Sequence, residues 1–503
     1  MDRQRKNSLL ITISHIGVQV SLALLSFIVP KVLLDIYGST INGLINSITQ
    51  MLTYVALVEA GIGNAAIAAL YGPLSMNDYE KSNSILSIAN VKYEKASIIY
   101  VIISIVLSLF YAFIVQGEVS YDFVVFMFVL ISLSYAVDFI FIGKYKVLLV
   151  ADHRYFVLNA ARIVSTLLTL ILSIILLWMG FSVLVVKFIA IMTRLVEVVI
   201  IVCYVKKKYE WVDFKSNLGK NKLEQQSNAL IHQIANVVIY NTDLVVLTLL
   251  LPDSLKEASV YTVYILPFSV INNVLVALNN SVSPILGINY AKKENDKLKK
   301  MYENYESAFL IIMFLLYSCY AVLAVPFVMC YTNNVTDVNY YRPLVAILVA
   351  MAGITCQIHD PSITIITATG KYKETQNYVI LEAIINIVLS VILVYFCGIV
   401  GVLIGTVIGH MVSSVLIINY ANKRILNRGN KKTYKLVAIN SIALIIILLL
   451  EFKSLLYLRG WGDFILAGIV CLVLNMCCLI IFNFKEVRKL IGILCVRKNK
   501  RNA

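Results

Sequence analysis

The sequence predicts an all-α polytopic membrane protein of about fourteen transmembrane helices, arranged as two parallel six-helix lobes plus two C-terminal helices. Three observations carry this expectation. The 503 residues are 60% hydrophobic and only 14% charged, a balance ordinary soluble domains do not have. The apolar residues form continuous runs, each able to cross a hydrocarbon core of roughly 30 Å with about 20 residues, and they lack the alternation of a membrane β-barrel. With the N-terminus placed inside, 35 of the 43 Lys and Arg residues fall in the inside segments and 4 in the outside ones. That bias predicts two cytoplasmic termini and an even number of spans.

The first apolar run, Leu9–Leu34, follows MDRQRKNS and is too long for a cleaved signal segment, so it reads as an uncleaved first span. Runs at Ile41–Leu70, Ala96–Val115, Phe123–Ile142, Phe156–Met179 and Ser182–Val205 complete a set of six. After the basic stretch KKKYEWVDFKSNLGKNK, a second set covers Ser227–Leu251, Ser259–Ile288, Ser307–Cys330, Pro343–Thr369, Tyr378–Cys397 and Ile399–Tyr420. Two further runs lie near Leu436–Leu450 and Phe464–Phe482. The expected organisation is an N-terminal lobe at 1–205, a cytoplasmic basic linker at 206–226, a C-terminal lobe at 227–422, and helices 13 and 14 with a basic cytoplasmic tail at 423–503.

Weak echoes link the halves. Tyr71 corresponds to Tyr290 and Lys81 to Lys300, both at a shift of 219 residues, and LSIILLWMG (Leu172–Gly180) is echoed by LSVILVYFCG (Leu389–Gly398). Two halves that both begin and end inside imply a parallel repeat about the membrane normal.

Several function classes are excluded or disfavoured. The net charge of +15 sits in short loops between spans, so no nucleic-acid partner is expected. The nine cysteines lie mostly in apolar runs without metal-ligand spacing, so no metal and no disulfide framework is expected. There is no GxxxxGK[ST] loop, which rules out transport driven by nucleotide hydrolysis in this chain. No Ser-His-Asp order stands out, and no large outer loop could hold an acceptor site. The chain is expected not to be an enzyme and to need no cofactor.

What remains is the polar content of the spans. Glu59 sits inside the second apolar run, followed by Gly61, Gly63 and Asn64, before Tyr71-Gly72-Pro73 leads into a charged loop. An acid in a spanning segment is costly in lipid and usually faces a bundle interior or wet cavity. The two glycines permit close helix approach or local unwinding. A hydrogen-bonded packing role and a cavity role both fit. Lys31 follows Pro30 and stands one turn before Asp35, so it either pairs with that acid or snorkels to the interface. Arg194 lies near the middle of span 6, with Lys187 two turns before and Glu197 three residues after, so an internal Arg194–Glu197 pair is one reading. Arg162 in span 5 is at a depth where Asp138 is an available partner. The later spans add Asp243, Asn272, Asn279, His359 and Glu382. Singly these read as helix–helix glue; together they describe a wet interior of mixed sign, in which fixed cations would suit a phosphate.

Three stretches carry a family resemblance: LVEAGIGNAAIAALYGPL (Leu57–Leu74) with the following NDYEK, YNTDLVVLTLLLPDSLKEASVYTVY (Tyr240–Tyr264), and GKYKETQNYVILEAIINIVLSVIL with GIVGVLIGT (Gly398–Thr406). The chain resembles the Wzx-type polysaccharide flippases of the multidrug/oligosaccharidyl-lipid/polysaccharide (MOP) exporter superfamily. The resemblance implies two six-helix lobes around a central cavity. It implies movement of an undecaprenyl-pyrophosphate-linked glycan between leaflets by alternating access, coupled to H+ or Na+, in a bacterial cytoplasmic membrane. Lys31, Arg162 and Arg194, with Asn64, Asn272, Asn279 and His359, are the expected substrate or cavity residues. Glu59, Asp243 and Glu382 are the expected ion-coupling acids. Where relatives place an Arg in span 1, this chain has Pro30-Lys31. Polysaccharide polymerase machinery is the expected partner and a monomer the expected state. The rivals are a cation-coupled multidrug exporter and a peptidoglycan-precursor (lipid II) flippase of the same superfamily, and a membrane glycan polymerase or ligase.

Overall fold

A computed structural model describes residues 2–59, 61–214, 226–451 and 460–492. Among these residues the chain is helical throughout, without a strand. Helices α1 (Asp2–Val55), α2 (Ile62–Ser75), α3 (Tyr79–Val115), α4 (Tyr121–Val137), α5 (Gly143–Ala151), α6 (Tyr155–Trp178), α7 (Val183–Lys208) and α8 (Gln226–Leu250) are followed by α9 (Ser254–Ala291). Then come α10 (Asn295–Tyr331), α11 (Pro343–Gln357), α12 (Asp360–Ala368), α13 (Tyr372–Cys397), α14 (Ile399–Tyr420), α15 (Lys431–Glu451) and α16 (Trp461–Phe482).

Twelve helical stretches among the described residues are long and apolar enough to cross a membrane. The expected count of fourteen is approximate, and it differs from twelve at two helices. The first stretch, Ile13–Glu59, holds 47 residues, enough for two crossings. It turns at Gly38, whose backbone (φ 74°, ψ −173°) lies in a region essentially reserved for glycine. The other is α8, with 25 residues, of which Asn241–Leu250 form an apolar helical half. At 1.5 Å per residue the 37-residue α3 and α10 are each about 55 Å long, so their ends project well beyond a hydrocarbon core.

Irregular backbone marks particular places. A 3-10 turn, Ala56–Glu59, and Gly61 (φ 82°) interrupt the path from α1 to α2, the unwinding that the glycines beside Glu59 permit. Wide π-type turns occupy Asp138–Ile142, between α4 and α5, and Ala421–Ile425, after α14. The charged loop after α2 ends in a cap: the Asp78 side chain accepts from the Lys81 N–H at 3.0 Å and starts α3.

By proximity the chain forms two compact units, Met1–Ser259 and Val260–Ala503. In the first, Leu44, Ile48 and Leu52, spaced by one turn along α1, are fully buried in a core with Tyr111, Met127 and Phe128. A second core of that unit joins α2, α3, α5, α6 and α7. Residues 209–214, within the stretch expected as the basic linker at 206–226, lie along the ends of these helices, while 206–208 belong to α7. Asn83 donates to the Trp211 carbonyl at 2.8 Å and accepts from the Asp213 N–H at 2.9 Å. Tyr209 donates to Asp152 at 2.6 Å, and burial pushes its phenol pKa up, keeping it a donor. In the second unit, α10 is the central helix, with Tyr302, Phe309, Met313, Phe314 and Tyr317 buried along it.

The helix pair α13–α14 is unusually close. A Cβ built on Gly401 would stand 2.1 Å from the Leu393 carbonyl oxygen, and one on Gly405 would stand 2.7 Å from the Ser390 backbone nitrogen. Gly401, Gly405 and Gly409 recur every four residues, the small-residue seam by which membrane helices bring their backbones together.

Candidate functional site

The first unit contains a cavity of about 340 Å³ lined by charged and polar side chains within apolar helices. Each wall has a local origin. Helix α1 supplies His15 and Gln19, and the 3-10 turn supplies Glu59. Tyr93 comes from α3, Lys146 from α5, Asn159 and Arg162 from α6, and Arg194 and Glu197 from α7. Asp138 opens the π-type turn; its extra residue per turn shifts the helix register there, as such bulges often do at functional sites.

Four of these groups form a chain of alternating sign. The Arg194 guanidinium donates through Nη2 to Asp138 Oδ2 at 2.5 Å and through Nη1 to Glu197 Oε2. Arg162 Nη1 reaches the same Glu197 oxygen at 3.5 Å. Glu197 is almost fully buried, while the Arg162 and Asp138 side chains keep about a third of their surface (33% and 34%) open. Charges at membrane depth need such partners, because water is not there to solvate them. Counting Lys146 and Glu59, the lining carries three permanent cations and three acids. The cavity is balanced and not simply cationic.

The expected residues divide accordingly. Glu59, Arg162 and Arg194 are brought together. Lys31 is not in this lining: its ammonium bonds Asp35 at 2.5 Å, the local pairing that the one-turn spacing suggested. Asn64 lies on an exposed flank of α2, outside the lining. Asp243 is buried on α8, next to Thr242, whose hydroxyl is 2.8 Å from the Tyr54 hydroxyl. Asp138 serves Arg194 and not Arg162 as anticipated, since Arg162 turns to Glu197.

In the second unit the expected residues sit in hydrogen-bonded helix contacts. Asn272 accepts from Gln357 at 2.5 Å. Asn279 donates to Asp360 at 2.8 Å and accepts from Tyr305 at 2.5 Å. The His359 Nδ1 is 2.7 Å from the Ser414 hydroxyl, which donates onward to the Thr355 carbonyl at 2.7 Å. Glu382 on α13 meets His410 on α14 at 2.5 Å, both nearly fully buried. Among the described residues no group of His, Cys, Asp and Glu has the geometry of a metal site.

Sequence reasoning passed over Lys146, Tyr93, Gln19 and Asn159 as site residues. Lys146 was counted among topogenic loop charges, but the helical stretch continues from Tyr121 to Ala151 and carries it to the cavity wall. Its spacing from Asp138, two turns on, was the available signal. It also missed the buried Arg428–Glu306 pair (2.6 Å), which fastens the segment before α15 to α10.

No protein-family model matches the chain, and no curated protein is detectably similar in sequence. Solved structures are similar in fold. An inward-facing multidrug resistance MATE family transporter of the MOP superfamily superposes with a TM-score of 0.65 at 13% identity, covering 84% of this chain and 99% of the other. The lipid II flippase MurJ in an inward closed conformation gives 0.66 at 12% identity, covering 95% and 100%. A MOP superfamily transporter from Pyrococcus furiosus, described by the reverse polarity of its binding pocket, gives 0.57 at 13% identity, covering 85% and 97%. The chain is therefore a polytopic helical membrane protein with the fold of the MOP-superfamily transporters. Within that fold, the Asp138–Arg194–Glu197–Arg162 chain joins four charged side chains inside apolar helices around one cavity.

Proposed function

We propose that the protein is a flippase that moves an undecaprenyl-pyrophosphate-linked oligosaccharide from the cytoplasmic to the outer leaflet, for cell-surface polysaccharide export, by alternating access. The observation that carries this reading is the convergence of Arg162 and Arg194 on one cavity inside apolar helices. Forked guanidiniums match phosphate oxygens bidentately, and two of them facing one cavity offer a phosphate the donors that the internal carboxylates otherwise occupy. At about 340 Å³ the cavity is at the small end of ligand pockets, roughly 300–1,000 Å³, so it suits a headgroup while the glycan lies elsewhere.

The rival multidrug exporter is disfavoured by extent. The MATE structure leaves 16% of this chain unmatched, about 80 residues, which is the size of the C-terminal segment 423–503; MurJ leaves 5%. That same comparison keeps a lipid II flippase as the second reading. In either case the work is transport and not catalysis. Glu59, Asp243 and Glu382 are the acids we assign to H+ or Na+ coupling, and the bacterial cytoplasmic membrane with both termini inside is the location we infer. Lys31, Asn64, Asn272, Asn279 and His359 lie outside the lining of this cavity, so any cargo contact they make belongs to another stage of the transport cycle.

The test is export. Arg162→Ala and Arg194→Ala, each present in the membrane at normal level, should reduce surface glycan at least tenfold, the size of one lost charge-assisted contact. Unchanged export in both variants would remove the cavity from the account.

A further inference from the structure

The oxygen that joins the two arginines belongs to the protein itself. Glu197 Oε2 accepts from Arg194 Nη1 and, at the long distance of 3.5 Å, from Arg162 Nη1. A single anionic oxygen bridging two guanidinium groups is the geometry a phosphate oxygen would adopt between them. Building on the headgroup reading above, we propose that Glu197 is a displaceable internal counter-ion that holds the phosphate position when cargo is absent and yields it when cargo enters.

Three features support this. Glu197 is nearly fully buried, so without the arginines its charge would be strongly disfavoured. Arg162 is bound only at the long limit and remains a third exposed to the cavity, so an incoming anion can reach it first. Arg194 keeps Asp138 as a second acceptor at 2.5 Å, so it stays neutralised and oriented while Glu197 is exchanged. The remaining charged and titratable groups facing the cavity are Lys146 from α5, Glu59 from the 3-10 turn, His15 from α1, Tyr93 from α3 and Tyr155 from α6. The balance of three cations and three acids then has a use. An unopposed pair of arginines would grip a pyrophosphate too well to release it in the other leaflet, whereas a tethered carboxylate competes for the site and expels it.

The experiment measures binding of inorganic pyrophosphate to the purified full-length chain in lipid nanodiscs, comparing wild type with Glu197→Gln. Glutamine keeps the shape and one weaker acceptor but not the charge. The expected result is about tenfold tighter binding, the equivalent of one charge-assisted hydrogen bond no longer competing, together with slower turnover in a flipping assay. Glu197→Asp retains the charge but withdraws it by one methylene; it should give an intermediate gain, and it serves if the Gln variant does not fold. A purely structural Glu197 would lower stability and flipping without tightening pyrophosphate binding. Unchanged or weaker binding in both variants, with binding still lost in Arg194→Ala, overturns the counter-ion while leaving the arginine site intact. Absence of pyrophosphate binding in wild type and all variants overturns both.

Discussion

Arg194 shows how much of the site one residue organises. Its side chain is 14% exposed and bonds two carboxylates on different elements, Glu197 on its own helix and Asp138 on the π-type turn. Arg194→Ala would leave both acids short of a partner at membrane depth, at a cost of roughly 3 kcal/mol. A clear fall in Tm of the purified protein is expected, restored in large part when Glu197→Gln and Asp138→Asn are added. Arg194→Lys should not restore it, because a single ammonium lacks the planar fork that addresses two acceptors at once. A Tm unaffected by Arg194→Ala would contradict the assigned bonds. The sequence made Arg194, Arg162 and Glu59 legible because charge is rare inside apolar runs, and it made Arg194–Glu197 legible because three residues is one helical turn. It could not reveal that Glu197 is shared with Arg162, or that Asp138 belongs to Arg194, since both depend on how α4, α6 and α7 rotate against one another.

At the scale of elements, the helix breaks matter as much as the helices. Gly38 kinks the 54-residue α1, and Gly61 unwinds the chain beside Glu59. The π-type turn at Asp138 re-aims α5, so that Lys146, which reads as a loop lysine, reaches the cavity. Apolar run lengths located the spans well but placed Ile41–Leu70 as one helix, because a 3-10 turn such as Ala56–Glu59 leaves no trace in hydropathy. The α13–α14 seam went unread, although Gly401, Gly405 and Gly409 recur at a four-residue spacing in the sequence. Gly401→Ala would force a methyl against the Leu393 carbonyl and should destabilise by about 2 kcal/mol, read as a lower Tm. Gly409→Ala, whose nearest neighbour would be 3.3 Å away, should cost visibly less. Equal effects at the two positions would mean that the pair is looser than described.

At the scale of the whole molecule, composition and the continuous apolar runs sufficed for the class, because a bilayer punishes polar surface in its core. The fold likeness to MATE transporters and to MurJ, at 12–13% identity, agrees with that class and leaves the cargo to chemistry. The cargo is where the sequence is least explicit: arginines, acids and amides inside spans are compatible with many polar ligands, and the proposal of an anionic headgroup rests on the convergence of Arg162 and Arg194 on one cavity. The most direct test of the proposed function is the sidedness of the lipid-linked oligosaccharide in cells lacking this gene, with and without the intact chain restored. The account predicts that the intermediate accumulates in the cytoplasmic leaflet and that the intact chain, but not the Arg194→Ala variant, returns it to the outer one. A normal distribution across the leaflets in the deleted cells, accompanied by new drug sensitivity, would contradict it and favour an exporter.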